Sequence, residues 1–195
     1  MWNAVVDMFL DEWDLGRSLS QTSGRTCGWV YLFEILSQSD EIIAHYDNGR
    51  VCGIAGYGNF RKPRKKFRKS LYRLRRNLLI KMKIRNKDGL KKYYETYNYF
   101  PKELENYFDG DLSILIVDKQ HRSKGIGKLL FDEICNRAAK SGIRKLRIDT
   151  DDSCNKHFYE ANGCKLVYET KCQYGYGERQ TENGYIFEKL LGGEV

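Results

Sequence analysis

Arg122, Ser123, Lys124, Gly125 and Gly127, in the run HRSKGIG, are the residues whose types and spacing point first to chemistry. Glycine lets a backbone approach a ligand with no Cβ in the way, and cations beside it favour an anion. The apolar run 112–118 before them reads as a strand, and the pattern after them reads as a helix. A strand, a basic glycine loop and a helix N-terminus in that order make a place for a phosphate. Spacing removes two common versions of such a site. A Walker loop requires GxxxxGK[ST], but Gly127-Lys128 is followed by Leu129 and no glycine stands five residues before Gly127. A dinucleotide fingerprint requires a glycine three residues after Gly127, where the chain has Leu130.

The elements that must hold this loop are legible from periodicity. The spacing of Trp2, Val5, Val6, Phe9, Leu10 and Trp13 predicts a helix ended at Gly16, and a second helix covers residues 28–37. Two strand-like runs about Asn48-Gly49 predict a β-hairpin over 41–58. After the 112–118 strand, a helix over 127–141 has Leu130, Phe131, Ile134, Cys135 and Ala138 on its inner face and closes at Gly142. A strand at 143–149 follows, then a short helix from Asp152 or Ser153 to Gly163. Strands at 164–172 and 185–191 end the chain, with an Asn183-Gly184 turn between them. This late β-α-β-α-β-β order argues an α/β fold with helices on a mixed sheet.

The larger pattern is specific. Val117-Asp118 is followed four residues on by Arg122 in Arg-x-x-Gly-x-Gly, and some thirty residues later comes CNKHFYEANGC. Together these resemble the GNAT superfamily of N-acetyltransferases, whose loop is close to V-x-P-x-x-R-G-x-G-x-G. Arg122, Gly125, Ile126 and Gly127 match it, with Lys119 in place of the usual proline and Ser123 in place of the first glycine. Asn155, Phe158, Tyr159, Glu160 and Gly163 match the downstream N-x-FY-E-x-x-G-F segment, with a shorter Asn-to-Tyr spacing and Cys164 where phenylalanine is common.

The resemblance implies a GNAT-type α/β fold: a mixed, mostly antiparallel central sheet flanked by helices, in a single domain over 1–195. It covers 112–170 and the hairpin, and leaves 60–108 as a basic and aromatic helical insertion before the central strand. It implies acetyl-CoA as co-substrate, no metal, and direct transfer of the acetyl group to a primary amine through a tetrahedral intermediate. The strand before the loop should splay from its neighbour, so that Ile116 and Val117 hold the pantetheine arm through their main chain. Arg122, Ser123, Lys124, Gly125, Ile126, Gly127 and Lys128 should hold the pyrophosphate, and Asn155 joins them as a cofactor-binding residue. Tyr159 matches the family's proton donor to the departing thiolate. A lysine-like amine, with a pKa of about 10.4, is mostly protonated near neutrality and needs a base. Asp111, Glu34 and Glu105 are the candidates, with Asp111 first. Asn155 reads equally well as a helix cap, and Tyr159 as a packed ring.

Composition limits the rest. No apolar run reaches the roughly 18 residues needed to span a bilayer, and the N-terminal stretch lacks a signal-peptide pattern, so a cytoplasmic location is expected. Six scattered cysteines without a CxxC pair, and three histidines, support neither a zinc site nor a redox pair. Residues 61–92 hold sixteen Lys or Arg against one acid, Asp88, so this window carries +15 while the chain totals +8. The remainder is therefore an acidic body, at −7. Phe67, Leu71, Leu74, Leu78 and Met82 give the basic window one apolar helical face. It could serve as a lid docked on the acidic body, or contact RNA, a ribosome or an anionic membrane. Three functions follow: acetylation of a small amine, acetylation of a protein or ribosome-associated amine recruited through the insertion, or a nucleic-acid-binding or regulatory module keeping the fold. A homodimer is compatible with all three.

Overall fold

The computed structural model of the chain describes residues 1–13, 24–62, 66–84, 101–104, 106–174 and 180–192. Helix α1 (Trp2–Glu12) and helix α2 (Gly24–Gln38) precede strands β1 (Glu41–Asp47) and β2 (Arg50–Asn59), and the basic helix α3 (Lys66–Lys83) comes next. Strand β3 (Gly110–Val117), helix α4 (Ile126–Lys140), strand β4 (Lys145–Asp151), helix α5 (Lys156–Ala161) and strands β5 (Lys165–Tyr174) and β6 (Gln180–Leu190) complete the order. The six strands form one sheet in the order β1-β2-β3-β4-β6-β5. Every neighbouring pair is antiparallel except β3 with β4. This is the mixed, mostly antiparallel sheet flanked by helices that the motifs imply.

Each face of the sheet has its own apolar layer. Ile114 and Ile116 point to one face, where they pack with Ile54 against Val5, Val6 and Phe9 of α1 and Leu32, Ile35 and Leu36 of α2. Leu112, Leu115 and Val117 point to the other, against Leu130, Phe131 and Ile134 of α4. Strand alternation divides Ile114 and Ile116 from Leu115 and Val117, and a register shift in the ladder between Gly56 and Tyr57 puts Leu112 on the second face. All five residues expected on the inner side of α4 are buried. Asn48 and Gly49 both have positive φ, +48° and +77°, as a two-residue hairpin turn with the strands' own twist requires.

Three expectations shift. Asn183 and Gly184 are not a turn: they lie inside β6, paired with Lys171 and Thr170. β5 continues to Tyr174, so the ladder extends past them and the connection falls at 175–179, outside the described residues. The short helix begins at Lys156, because Asp151 draws the preceding residues into a turn by accepting from the Ser153 backbone N–H and hydroxyl. The expected second helix begins at Gly24, four residues before Gly28.

α3 is amphipathic as its spacing predicts, yet its apolar stripe faces away from the body. Lys69, Tyr72, Arg76, Leu79 and Ile80 are turned inward, whereas Phe67, Leu71, Leu74, Leu78 and Met82 are exposed. The reason is electrostatic. Lys69 Nζ lies 2.9 Å from the carboxylate of Asp40, which is almost wholly buried, and Arg76 pairs with Glu34 of α2. Turning the helix outward would take Lys69 from Asp40 and Arg76 from Glu34. Leu79 and Ile80 then pack against Cys27 and Val30 of α2, and Tyr72 stacks on Phe33 at 6.2 Å.

Candidate active site

β3 and β4 run parallel but pair only at their starts, Gly110 with Leu146 and Asp111 with Arg147. Beyond that point the strands part, although β3 continues to Val117 and β4 to Asp151. The gap exposes one edge of β3. The Asp118 N–H donates to Cys52 O of β2 at 2.9 Å, so by alternation Val117 and Leu115 direct their N–H and C=O groups to the open side. The Val117 carbonyl there accepts from Arg122 Nε at 3.1 Å.

The loop that follows is built for an anion. Asp118 accepts from the Gln120 N–H at 2.8 Å, and its carboxylate lies 3.2 Å from His121 Nδ1, whose other nitrogen lies 3.2 Å from Asp47 at the end of β1. Burial raises the pKa of Asp118, but His121 and the Gln120 N–H outweigh it and hold the group below the usual carboxylate range. The chain then takes left-handed conformations at Ser123 (φ +62°) and Gly125 (φ +79°). Gly125 precedes α4 without any side-chain cap, and a Cβ there would meet nothing within 4 Å. The first N–H groups of a 15-residue helix therefore face an open cradle. The N–H groups of an uncapped helix start, its positive end and an exposed strand edge suit a pyrophosphate with an amide-bearing arm.

A sequence model of the acetyltransferase (GNAT) family matches residues 2–164. The chain belongs to the GNAT acetyltransferase family. Among solved structures, an N-acetyltransferase from Staphylococcus aureus Mu50 is 17% identical, covers 98% of this chain and 93% of its own, and superposes with a TM-score of 0.57. A Streptococcus mutans UA159 protein is 14% identical over 98% of this chain and 94% of its own, with a TM-score of 0.56. A Salmonella typhimurium protein solved with its cofactor acetyl-CoA is 13% identical over 87% and 73%, at 0.48. No curated protein matches by sequence. At these identities the likeness is one of fold, and the family assignment rests on the sequence match.

Within this GNAT framework the expected residues fall into groups. Val117, Ser123, Lys124, Gly125, Ile126 and Gly127 line the strand end, the loop and the first turn of α4. Lys128 is exposed on that turn and pairs with Asp132 at 2.7 Å. Ile116 buries its side chain against α1 and α2, and its main chain faces β2 opposite Ile54, so Val117 rather than Ile116 addresses the gap. Asn155 caps α5, its side chain accepting from the Phe158 N–H at 3.3 Å. Arg122 is engaged by the chain itself: its Nε holds the Val117 carbonyl, its guanidinium reaches Glu12 Oε2 at 2.5 Å, and Lys119 joins it by donating to the Asp11 carbonyl.

Asp111 and Tyr159 lie on opposite faces of the sheet. Asp111 stands where the strands part, on the α2 face, and accepts from the Gly58 N–H at 3.2 Å. A Cβ at Gly58 would lie 2.6 Å from that carboxylate oxygen, so a larger residue there would displace Asp111. Burial pushes the Asp111 carboxyl up to about 6, with Arg147 opposing and Asp149 adding to the rise. Arg147 Nε lies 3.2 Å from Asp149, whose carboxyl burial also raises. Tyr159 lies on the α4 face, its ring 6.0 Å from Phe131, 5.3 Å from Phe158 and 5.9 Å from Phe187. Burial raises its phenol above the ordinary value, so it stays protonated.

Of the other proposed bases, Glu34 is engaged by Arg76 and by the Gln38 amide, away from the gap. Glu105 lies outside the described residues. Sequence reasoning missed Glu12, Arg147 and Asp149. The last two carry a signal, since polar Arg147 and Asp149 alternate with buried Leu146 and Ile148 on a central strand. Glu12 carries none: its partner is 110 residues away.

Proposed function

We propose that this chain transfers the acetyl group of acetyl-CoA to the primary amine of a small molecule, with Asp111 as general base. The observation that carries this reading is the parting of β3 from β4 immediately after Asp111, beside an uncapped α4 N-terminus. The cofactor supplies a thioester carbonyl as the electrophile. The cradle around Gly125 and the first N–H groups of α4 bind its pyrophosphate, and the open edge at Leu115 and Val117 orients the pantetheine amides. The Val117 N–H faces the gap and donates to the carbonyl oxygen as negative charge develops on it. Asp111, at the other end of the open edge from Val117, accepts the amine proton through intervening water as the C–N bond forms, and a carboxyl near 6 is ionised yet basic enough for this at neutral pH. Tyr159 gives the departing sulfur a hydrogen bond as the C–S bond breaks. The thiolate then gains from solvent the proton that Asp111 returns to it. Asp111 and Asp149 together favour a cationic acceptor.

The test is thiol release from acetyl-CoA across amine classes. Turnover with small primary amines is expected. Turnover with lysine peptides alone would move the acceptor to the protein class. Thermal stabilisation by acetyl-CoA with no thiol release from any amine would leave a binding module. Tyr159→Phe should lower kcat about tenfold with acetyl-CoA affinity unchanged.

A further inference from the structure

The outward face of α3 plays no part in the transfer reaction. Five large apolar side chains, Phe67, Leu71, Leu74, Leu78 and Met82, form one stripe along it, from 39% exposed at Leu71 to 85% at Phe67. At 100° per residue, Arg68 and Arg75 border the stripe on one side and Lys81 on the other. The helix carries eight Lys or Arg and no acid, and its 18 residues give a strip about 27 Å long. Its inner side is already occupied through Lys69, Arg76, Tyr72 and Ile80, so the stripe cannot turn in without breaking the pairs to Asp40 and Glu34.

We infer that α3 is an interfacial helix that seats this protein on an anionic lipid bilayer. The occupant must present negative charge at its surface and an apolar phase just beneath it, because the cations border the stripe. A bilayer with acidic headgroups has that layering. A nucleic acid supplies the phosphates but leaves leucine and methionine in water, since they offer no ring on which bases stack. A second copy docked face to face would set the cations bordering each stripe, Arg68, Arg75 and Lys81, against those of the other. No helix among the described residues is long and apolar enough to cross a membrane, so the attachment is peripheral.

The test uses the full chain with vesicles of phosphatidylcholine, with and without phosphatidylglycerol. At least about tenfold more protein should sediment with the anionic vesicles, and salt should reverse the difference. Leu74→Glu with Leu78→Glu should abolish sedimentation while leaving the melting curve and amine acetylation unchanged, because both side chains are exposed. Leu78→Trp should shift its emission to the blue when anionic vesicles are added. Three results would overturn the proposal. The first is equal sedimentation with neutral and anionic vesicles, or anionic binding that survives the double glutamate change. The second is binding of single-stranded or duplex RNA that Arg68→Ala with Arg75→Ala weakens and the leucine changes do not. The third is self-association in the absence of lipid that the double glutamate change abolishes.

Discussion

The β3–α4 edge and the α3 helix are both basic, and they use their charge in opposite ways. At the β3–α4 edge the backbone is the binding element: N–H groups at a strand edge and a helix start, freed by a splay and by Gly125. Its key cation, Arg122, is spent on the chain itself, tying the loop to the Val117 carbonyl and to Glu12 of α1. In α3 the side chains do everything. Its inner cations neutralise Asp40 and Glu34, and the stripe from Phe67 to Met82 is left outside. A run of cations therefore says little about where its charge is spent until its partners are known.

The sharpest way to break this comparison is at the apex of the splay. Asp111→Asn should reduce turnover by about 10²- to 10⁴-fold, and the loss of wild-type rate as pH falls through about 6 should disappear from what remains. The sign follows from the protonated acid being unable to accept a proton below that value. The same raised pKa means the folded state binds this proton more tightly than the unfolded one, a contribution lost as pH rises through about 6. The variant should thus melt no lower than the wild type at pH 8, and a large drop there would make Asp111 structural.

On the α3 side, Lys69→Met should cost about 3 kcal/mol of stability in a denaturant titration by removing the Lys69 ammonium from beside buried Asp40. A neutral result would mean that the inner apolar contacts, rather than the ion pairs, set the orientation of α3. Gly125→Ala forces a Cβ onto φ +79° and should cost about 1–2 kcal/mol. It should also weaken acetyl-CoA binding, read by calorimetry, more than it lowers kcat. The smallest effect is a gain: Ser123→Gly relieves a left-handed serine at φ +62° and should raise stability by up to about 1 kcal/mol with activity intact.

Much of the site was legible because its chemistry lies in local runs. The strand, loop and helix around HRSKGIG are contiguous, so periodicity and glycine spacing place Val117, Gly125 and Gly127 without tertiary knowledge. The inner face of α4, from Leu130 to Ala138, was readable for the same reason. In sequence Asn155 fits two roles, because a cap and a ligand share the same residue type, and its bond to the Phe158 N–H shows the cap. Asn183-Gly184 misled because a turn dipeptide competes with a ladder that its partner strand extends, and β5 supplied that ladder to Tyr174.

By itself the sequence determined the family, the anion loop and the existence of an amphipathic basic helix, since all three depend on neighbours along the chain. Only the tertiary structure decided which groups face one another. It set Asp111 against Gly58 and Arg147 where two strands part, and it took Arg122 to Glu12. It also turned the apolar side of α3 outward, because the carboxylates that fix that orientation, on α2 and at its end, are some thirty to forty residues away in sequence and adjacent only after folding.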